Sequence, residues 1–284
     1  MIKVIECPRD AMQGIKPFIP TEDKIAYINQ LLKCGFDTID FGSFVSPKAI
    51  PQMADTAEVL AGLDLSNTTS DLLSIVVNTR GALNAVAFEE IKYLGYPFSI
   101  SETFQLRNTN ATIQESLERV IRIQDLALKH NKTVVIYISM GFGNPYGDPW
   151  NVEIVENWVN ALSEIGIKII ALSDTIGVAN PESISYLFSH IIEDYPNIEI
   201  GAHLHTQPHN WEEKVEAAYK HGCRRFDGAL KGYGGCPMAK DDLTGNMPTE
   251  HLIQYFKEHD DHFKIDSDAF LKAMSMTNNV FPLH

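Results

Sequence analysis

Cysteine is scarce: 284 residues hold four, Cys7, Cys34, Cys223 and Cys236, scattered and with no CxxC pair. That excludes a disulfide framework and gives no sign of a thiolate zinc site. Positive charge is short too. Lys and Arg total 23 against 37 Asp and Glu, a net charge of −14. Such a chain lacks the broad positive field that nucleic acid or an anionic membrane requires, so any anionic ligand must be held by a few placed cations. No apolar stretch reaches the ~18 residues of a membrane span. The opening MIKVIECPRD enters an apolar run at once and is expected to carry no signal leader. A soluble, cytoplasmic protein of a reducing compartment is the expectation.

Linkers and low-complexity tracts are also missing, while 44% of residues are hydrophobic and 21% charged, the balance of a packed globular chain. Eight short aliphatic or β-branched runs recur: 4–10, 38–44, 74–78, 96–101, 133–140, 168–174, 198–205 and 224–230. Between them lie amphipathic stretches, clearest at 21–35, 112–130, 151–166, 181–195 and 210–222. In the first of these, Ile25, Ile28, Leu31 and Leu32 share a face and Gly35 ends the helix. Trp158, Tyr186 and Phe188 fall at helical spacing and read as core. Strands alternating with helices imply parallel βαβ crossovers. Eight such units in ~230 residues fit a closed α/β (β/α)8 TIM barrel as one domain, with about 247–284 left as a C-terminal helical extension. The rival open doubly wound sheet announces itself with a glycine-rich turn after the first strand, and CPRDAMQG is not one.

In a barrel, chemistry gathers where the strands end. Those ends carry Arg9, Asp10, Asp40, Ser43, Asn78, Glu102, Ser139, Asp174, His203 and His205. Residues i and i+2 of a strand point the same way, so His203 and His205 can face one point. The bland alternative is two histidines satisfied by neighbouring loops. Asp10, from the first strand, tips the balance, because a carboxylate and two imidazoles suit a divalent cation of the Mg2+/Mn2+ class ahead of Zn2+. Asp40 and Asp174 read either as general bases or as loop caps. Past the eighth run, KGYGGCPMAKDDLTGN (231–246) sets Cys236 on a glycine-rich loop with no core to fill, which suits an acid or nucleophile. Cys7, Cys34 and Cys223 read as buried apolar fillers.

Together, ECPRDAMQ, IDFGSFVSPKAIPQMADTAEVL, LSDTIGVANP, HLH and GYGGCPMAKDDLTGN resemble the 3-hydroxy-3-methylglutaryl-CoA lyase family, metal-dependent barrels related to isopropylmalate synthase. The resemblance runs from residue 4 to about 255. It implies a divalent metal (Mg2+ or Mn2+) held by Asp10, His203, His205 and Asn246. It implies Arg9 as the group that polarises the acyl carbonyl, Cys236 as the catalytic cysteine, Glu250 as a carboxylate positioning its loop, and Asp174 as an aspartate near the metal. Gln13, Lys16, Ser43, Asn108 and Tyr146 match positions lining the substrate or CoA approach, with Lys16 a candidate for the CoA phosphates. The implied reaction cleaves a 3-hydroxyacyl-CoA to acetoacetate and acetyl-CoA.

The sequence departs from that pattern in places. Ala11 and Met12 replace Gly-Leu, Asp40 stands for a longer Glu, HLHTQPHN lacks the Asp/Asn-Thr that usually follows HxH, and Met238 with 241–244 fills a loop usually small and glycine-rich. These changes leave the preferred acyl group open. Expected partners are an acyl-CoA and a second copy of the chain, with no nucleic acid and no membrane. Two further readings stand beside cleavage: a family synthase or aldolase condensing acetyl-CoA with a 2-oxo acid, and a non-catalytic acyl-CoA-binding barrel.

Overall fold

The computed structural model describes residues 1–235, 244–260 and 262–281. In chain order it contains β1 (Lys3–Glu6), α1 (Pro8–Gln13), α2 (Thr21–Leu31), β2 (Thr38–Ser43), α3 (Thr56–Ala61), β3 (Asp71–Ile75), α4 (Thr79–Ala85), β4 (Ile91–Ser99), α5 (Glu102–Thr109) and α6 (Ile113–Lys129). There follow β5 (Thr133–Ser139), α7 (Val152–Glu164), β6 (Ile169–Ser173), α8 (Pro181–Asp194), β7 (Glu199–His203), β8 (His205–Thr206), α9 (Trp211–Lys220), β9 (Arg225–Gly228), β10 (Gly245–Asn246), α10 (Thr249–His259) and α11 (Ser267–Val280). Strands β1 to β7 and β9 pair in sequence order, and β9 pairs back with β1, so the sheet closes. Every one of those pairings is parallel. The expected (β/α)8 barrel is therefore the fold.

Strand alternation separates two apolar layers. Leu73, Ile75, Val135, Tyr137, Ile169 and Ala171 fill the barrel interior, while Leu72, Val134, Ile136, Ile170 and Leu172 pack outward under the helices. Asn78, Ser101, Thr112, Asn151 and Asn180 each accept a backbone N–H at a helix start, which fixes where α4 to α8 begin. The bulge in β2 falls between Asp40 and Gly42. A Cβ on Gly42 would lie 2.6 Å from Thr56 Cγ2, and that close approach lets Thr56 Oγ1 bond both the N–H and the carbonyl of Ser43. Helix α11 folds back on α2, with Tyr27 edge-on to Phe281 at 5.8 Å and Gln30 donating to the Ala269 carbonyl.

Two segments differ from expectation, and both differences build the site. The run 4–10 is strand only to Glu6. Pro8 has no N–H for the ladder and takes the first turn of α1, so Arg9 and Asp10 sit on a helical turn. Likewise β7 stops at His203, and His205 starts a separate ribbon, paired antiparallel with Asn246. Of the aromatics read as core, Phe188 is buried and Trp158 packs on Phe98. Tyr186 is not: it is 49% exposed, stacked on His190 outside α8.

Candidate active site

The first turn of α1 aims Arg9 across the barrel mouth, where it organises the acidic groups. Arg9 Nε donates to both oxygens of the buried Asp40 at 3.2 and 3.0 Å, and Nη2 donates to Asp40 as well. Its Nη1 donates to Asp10 Oδ1 at 2.8 Å and to Gln13 Oε1 at 3.0 Å. Gln13 in turn donates to Asp10 Oδ1 at 2.8 Å. Burial works against the guanidinium charge, but Asp40 and Asp10 outweigh it and hold Arg9 protonated. Burial pushes the Asp40 carboxyl up to about 6 against the pull of Arg9, so the pair is ionic at neutral pH. Asp40 thus serves as the anchor of Arg9, with both oxygens occupied.

The ribbon of β8 and β10 sets His205 beside Asn246. Asn246 Nδ2 donates to Asp10 Oδ2 at 2.7 Å and to the Tyr233 carbonyl at 2.9 Å, and its amide oxygen has no partner among the described residues. Asp10, His203 and His205 each present one ligand atom within 4.8 Å of the other two. Burial would raise the Asp10 carboxyl, but Arg9, His203 and Asn246 hold it below its ordinary value. Burial and then His203 push His205 down to about 4, so its ring is neutral at pH 7, and its buried Nδ1 has no hydrogen-bond partner among the described residues. A carboxylate, a neutral imidazole with an orphaned nitrogen, a second imidazole and an amide oxygen fit a divalent cation.

Side chains that the sequence did not single out hold this cluster in place. Asp227 Oδ2 accepts from His203 Nδ1 at 3.1 Å, which fixes the tautomer and leaves Nε2 without a hydrogen-bond partner among the described residues. The edge of the Tyr137 ring packs against His203 at 5.6 Å. Behind His205 lies a fully buried ion pair: Lys214 Nζ is 2.7 Å from Asp174 Oδ2 and donates to the His205 carbonyl at 2.8 Å. The other Asp174 oxygen accepts the Ala179 N–H. Asp174 therefore takes the loop-capping option, with both oxygens partnered. A signal for Asp227 was present, since a carboxylate two residues from Arg225 in a buried strand must face the interior with a partner. Lys214 gave none, because a lysine on an acidic helix reads as solvated.

Arg9, Asp10, Gln13, Asn108, His203 and His205 line one cavity of ≈ 670 Å³ at the barrel mouth, with Ile75, Val77, Pro97 and Phe104 as apolar wall. Other residues named from the sequence lie elsewhere. Lys16 is exposed beyond α1, and Ser43 borders a separate groove under Phe44 and Leu83. Tyr146 sits behind the wall, stacked on Phe104 with the Arg107 guanidinium 4.7 Å over its ring. Glu250 accepts the Lys231 N–H at 2.9 Å, at the base of the glycine-rich loop. In that loop Gly234 (φ +85°) approaches so closely that a Cβ would lie 2.8 Å from the Asp10 carbonyl and 2.9 Å from Asn246 Nδ2. Gly235 lines the cavity; Cys236, Met238 and 241–243 lie outside the described residues. Cys7, Cys34 and Cys223 are buried.

A closed parallel barrel whose mouth gathers a carboxylate, two imidazoles and a buried arginine in one cavity defines the class: a (β/α)8 barrel with a candidate metal-binding site at its mouth. Within that class the chain belongs to the HMGL-like family, whose model matches residues 3–277. It is 34% identical to the hydroxymethylglutaryl-CoA lyase YngG of Bacillus subtilis, over 94% of this chain and 88% of that one. It is 32% identical to the 3-hydroxy-3-isohexenylglutaryl-CoA/hydroxymethylglutaryl-CoA lyase of Pseudomonas aeruginosa, covering 96% and 90%. The HMG-CoA lyase of Acinetobacter baumannii, solved with coenzyme A and 3-methylmalate, superposes with a TM-score of 0.89 at 32% identity, covering 99% and 91%. The protein is a lyase of this family. No helix among the described residues is long and apolar enough to cross a membrane.

Proposed function

We propose that this lyase cleaves 3-hydroxy-3-methylglutaryl-CoA, or a closely related branched 3-hydroxyacyl-CoA, to acetoacetate (or its homologue) and acetyl-CoA. The observation that carries the reading is the convergence of Asp10, His203, His205 and Arg9 on one cavity. Asp10, His203, His205 and Asn246 would hold a Mg2+ or Mn2+ ion, which when bound acidifies a coordinated hydroxyl. As the C3 hydroxyl gives its proton to a water in the mouth and C3 becomes a ketone, the C2–C3 bond breaks and its electron pair passes to the thioester as an enolate. Arg9 supplies positive charge where the enolate oxygen develops, and its bonds to Asp40 and Asp10 preset its direction. A proton delivered to C2 completes acetyl-CoA. Cys236 is the proposed donor on the strength of the family resemblance, and Glu250, bonded at the loop base, is its proposed positioning residue.

The acyl group is tested by a metal-supplemented assay over a panel of branched 3-hydroxyacyl-CoAs, with products identified by mass. Metal-dependent release of acetyl-CoA from the methylglutaryl thioester is expected; no cleavage of any member refutes the reading. A cytoplasmic setting is proposed, with Cys7, Cys34 and Cys223 buried and free of disulfides among the described residues. A homodimer is proposed from the pairing habit of helices on barrel exteriors, and a monomer mass by light scattering would overturn it.

A further inference from the structure

Among the described residues, Cys7 is the one buried thiol that stands in a metal-binding group. Strand β9 lies between β7 and β1, and its Asp227 is in register with Ile5 of β1. On the other side Ala202 pairs with Phe226, so His203 comes level with Asp227 on the inner face. Cys7 follows Ile5 by two residues. The result is a second cluster beneath the mouth, in which Cys7, His203 and Asp227 each present one ligand atom within 4.8 Å of the other two. His203 is the member it shares with the cluster of Asp10, His203 and His205.

Little else engages these atoms. Cys7 Sγ approaches a single acceptor among the described residues, the Ile5 carbonyl at 3.8 Å, a weak contact for a thiol. Asp227 Oδ2 faces His203 Nδ1 at 3.1 Å, while its Oδ1, on a side chain 1% exposed, has no hydrogen-bond partner among the described residues. A buried carboxylate oxygen without a donor is unfavourable, and a cation satisfies it. The carboxylates of Asp227, Asp40 and Asp10 act on Cys7 against two guanidiniums, Arg9 and, beside Asp227, Arg225. His203 opens the way in, since it lines the catalytic cavity. Ligand atoms around a tetrahedral ion stand about 3.3–3.8 Å apart, a spacing that small side-chain rotations reach from here.

A thiolate selects soft or borderline cations such as Zn2+ and Cd2+ over Mg2+, whereas the carboxylate and amide oxygens of the mouth suit Mg2+ or Mn2+. We propose that Cys7, His203 and Asp227 form a second metal site, for a thiophilic divalent cation of the Zn2+ class, whose occupation withdraws His203 from the mouth. The Cys7 thiol gives its proton to water as the metal–sulfur bond forms. A neutral imidazole coordinates through one nitrogen. Binding through Nδ1 moves the ring proton to Nε2, which then has no lone pair for an ion in the mouth. The deeper ion therefore excludes the catalytic one, and the site is inhibitory.

The test uses metal-free, full-length protein carrying Cys236→Ser, so that no loop thiol contributes, with and without Cys7→Ala. Cys7→Ser, closer in volume, is run beside it, so that a folding defect in one variant does not decide the result. Co2+ is followed by its thiolate-to-metal charge-transfer absorption, and Cd2+ and Mn2+ by calorimetry. Co2+ is expected to give the thiolate band with Cys7 present and to lose it with either substitution. Cd2+ affinity should fall about 100-fold on loss of the sulfur ligand, while Mn2+ affinity stays within about threefold. With Cys7 present, saturating Cd2+ should weaken Mn2+ binding by at least about tenfold. A thiolate band that never forms, or that survives both substitutions, overturns the site, as does Cd2+ affinity that neither substitution alters. Cd2+ and Mn2+ bound together, each at full affinity, overturns the sharing of His203. None of these readouts depends on which thioester the protein cleaves.

Discussion

Replacing Asp227 with asparagine probes the support under His203 without changing the shape of the barrel interior. The carboxylate accepts from His203 Nδ1 at 3.1 Å, and its side chain is 1% exposed, so water cannot substitute for it. Loss of such an outer partner typically costs about 10- to 100-fold in metal affinity, or ~1.4–2.8 kcal/mol. Asp227 is also the leading counter-charge of Arg225, which is 1% exposed, with no hydrogen-bond partner for Nε and Nη2 among the described residues. Glu199 at 3.2 Å and Asp37 at 4.0 Å remain near Arg225. The fold should therefore lose less than the ~3–5 kcal/mol of a fully broken buried pair, on the order of 1–3 kcal/mol. Titration of Mn2+ into metal-free protein, followed calorimetrically, gives the affinity, and urea denaturation gives the stability. A variant that folds as stably as the wild type and binds Mn2+ equally well refutes the idea that Asp227 presents His203 to an ion.

Three more substitutions read separate parts of the structure. Lys214→Met strands the fully buried Asp174 and frees the His205 carbonyl; a destabilisation of about 3–5 kcal/mol is expected by urea denaturation. Adding Asp174→Leu should recover much of that loss, and no recovery would show that the pair is not the cause. Arg9→Lys cannot reproduce the fork that holds Asp40, Asp10 and Gln13 together. Turnover of an acyl-CoA substrate should fall about 10²- to 10³-fold, and a drop of less than about tenfold would remove Arg9 from charge stabilisation. Glu6 is buried between the Leu230 N–H and the Thr249 hydroxyl, and burial raises its carboxyl from 4.5 to about 8. The folded state then holds a proton that the unfolded state has released, so this group's contribution to stability declines as pH rises from about 4.5 and levels off above about 8. The full span corresponds to at most about 5 kcal/mol. Glu6→Gln should flatten the fall of the unfolding midpoint across that window, and an unchanged pH profile would contradict a protonated Glu6.

The order of strands and helices was legible along the chain because each element carries its own period. An unbroken apolar run fills Thr133–Ser139 and apolar residues recur at helical spacing in Ile113–Lys129, while Asn and Thr caps mark helix starts. Proximity was legible only in part. His203 and His205 were read as neighbours on one strand, yet the strand ends at His203 and the second imidazole is placed by pairing with Asn246, 41 residues on. Asp10 reaches them from a helical turn rather than a strand end. Gln13, Lys16, Ser43, Asn108 and Tyr146 were assigned from the family resemblance to the substrate or CoA approach; Gln13 and Asn108 line the cavity, while Ser43 borders the neighbouring groove and Tyr146 stacks behind Phe104.

The sequence by itself determined the repeating units, the acidic character and the types of side chain available for chemistry, since propensity, period and charge are properties of short segments. Which of those side chains meet was settled only when the sheet closed. Closure brings β9 beside β1, puts Asp227 beneath His203, and draws Lys214 against Asp174 from a helix that looked solvated. Such contacts join residues 24 to 236 positions apart. They hold because a buried charge is tolerable only with a partner within hydrogen-bond reach, a condition that no local stretch of sequence can express.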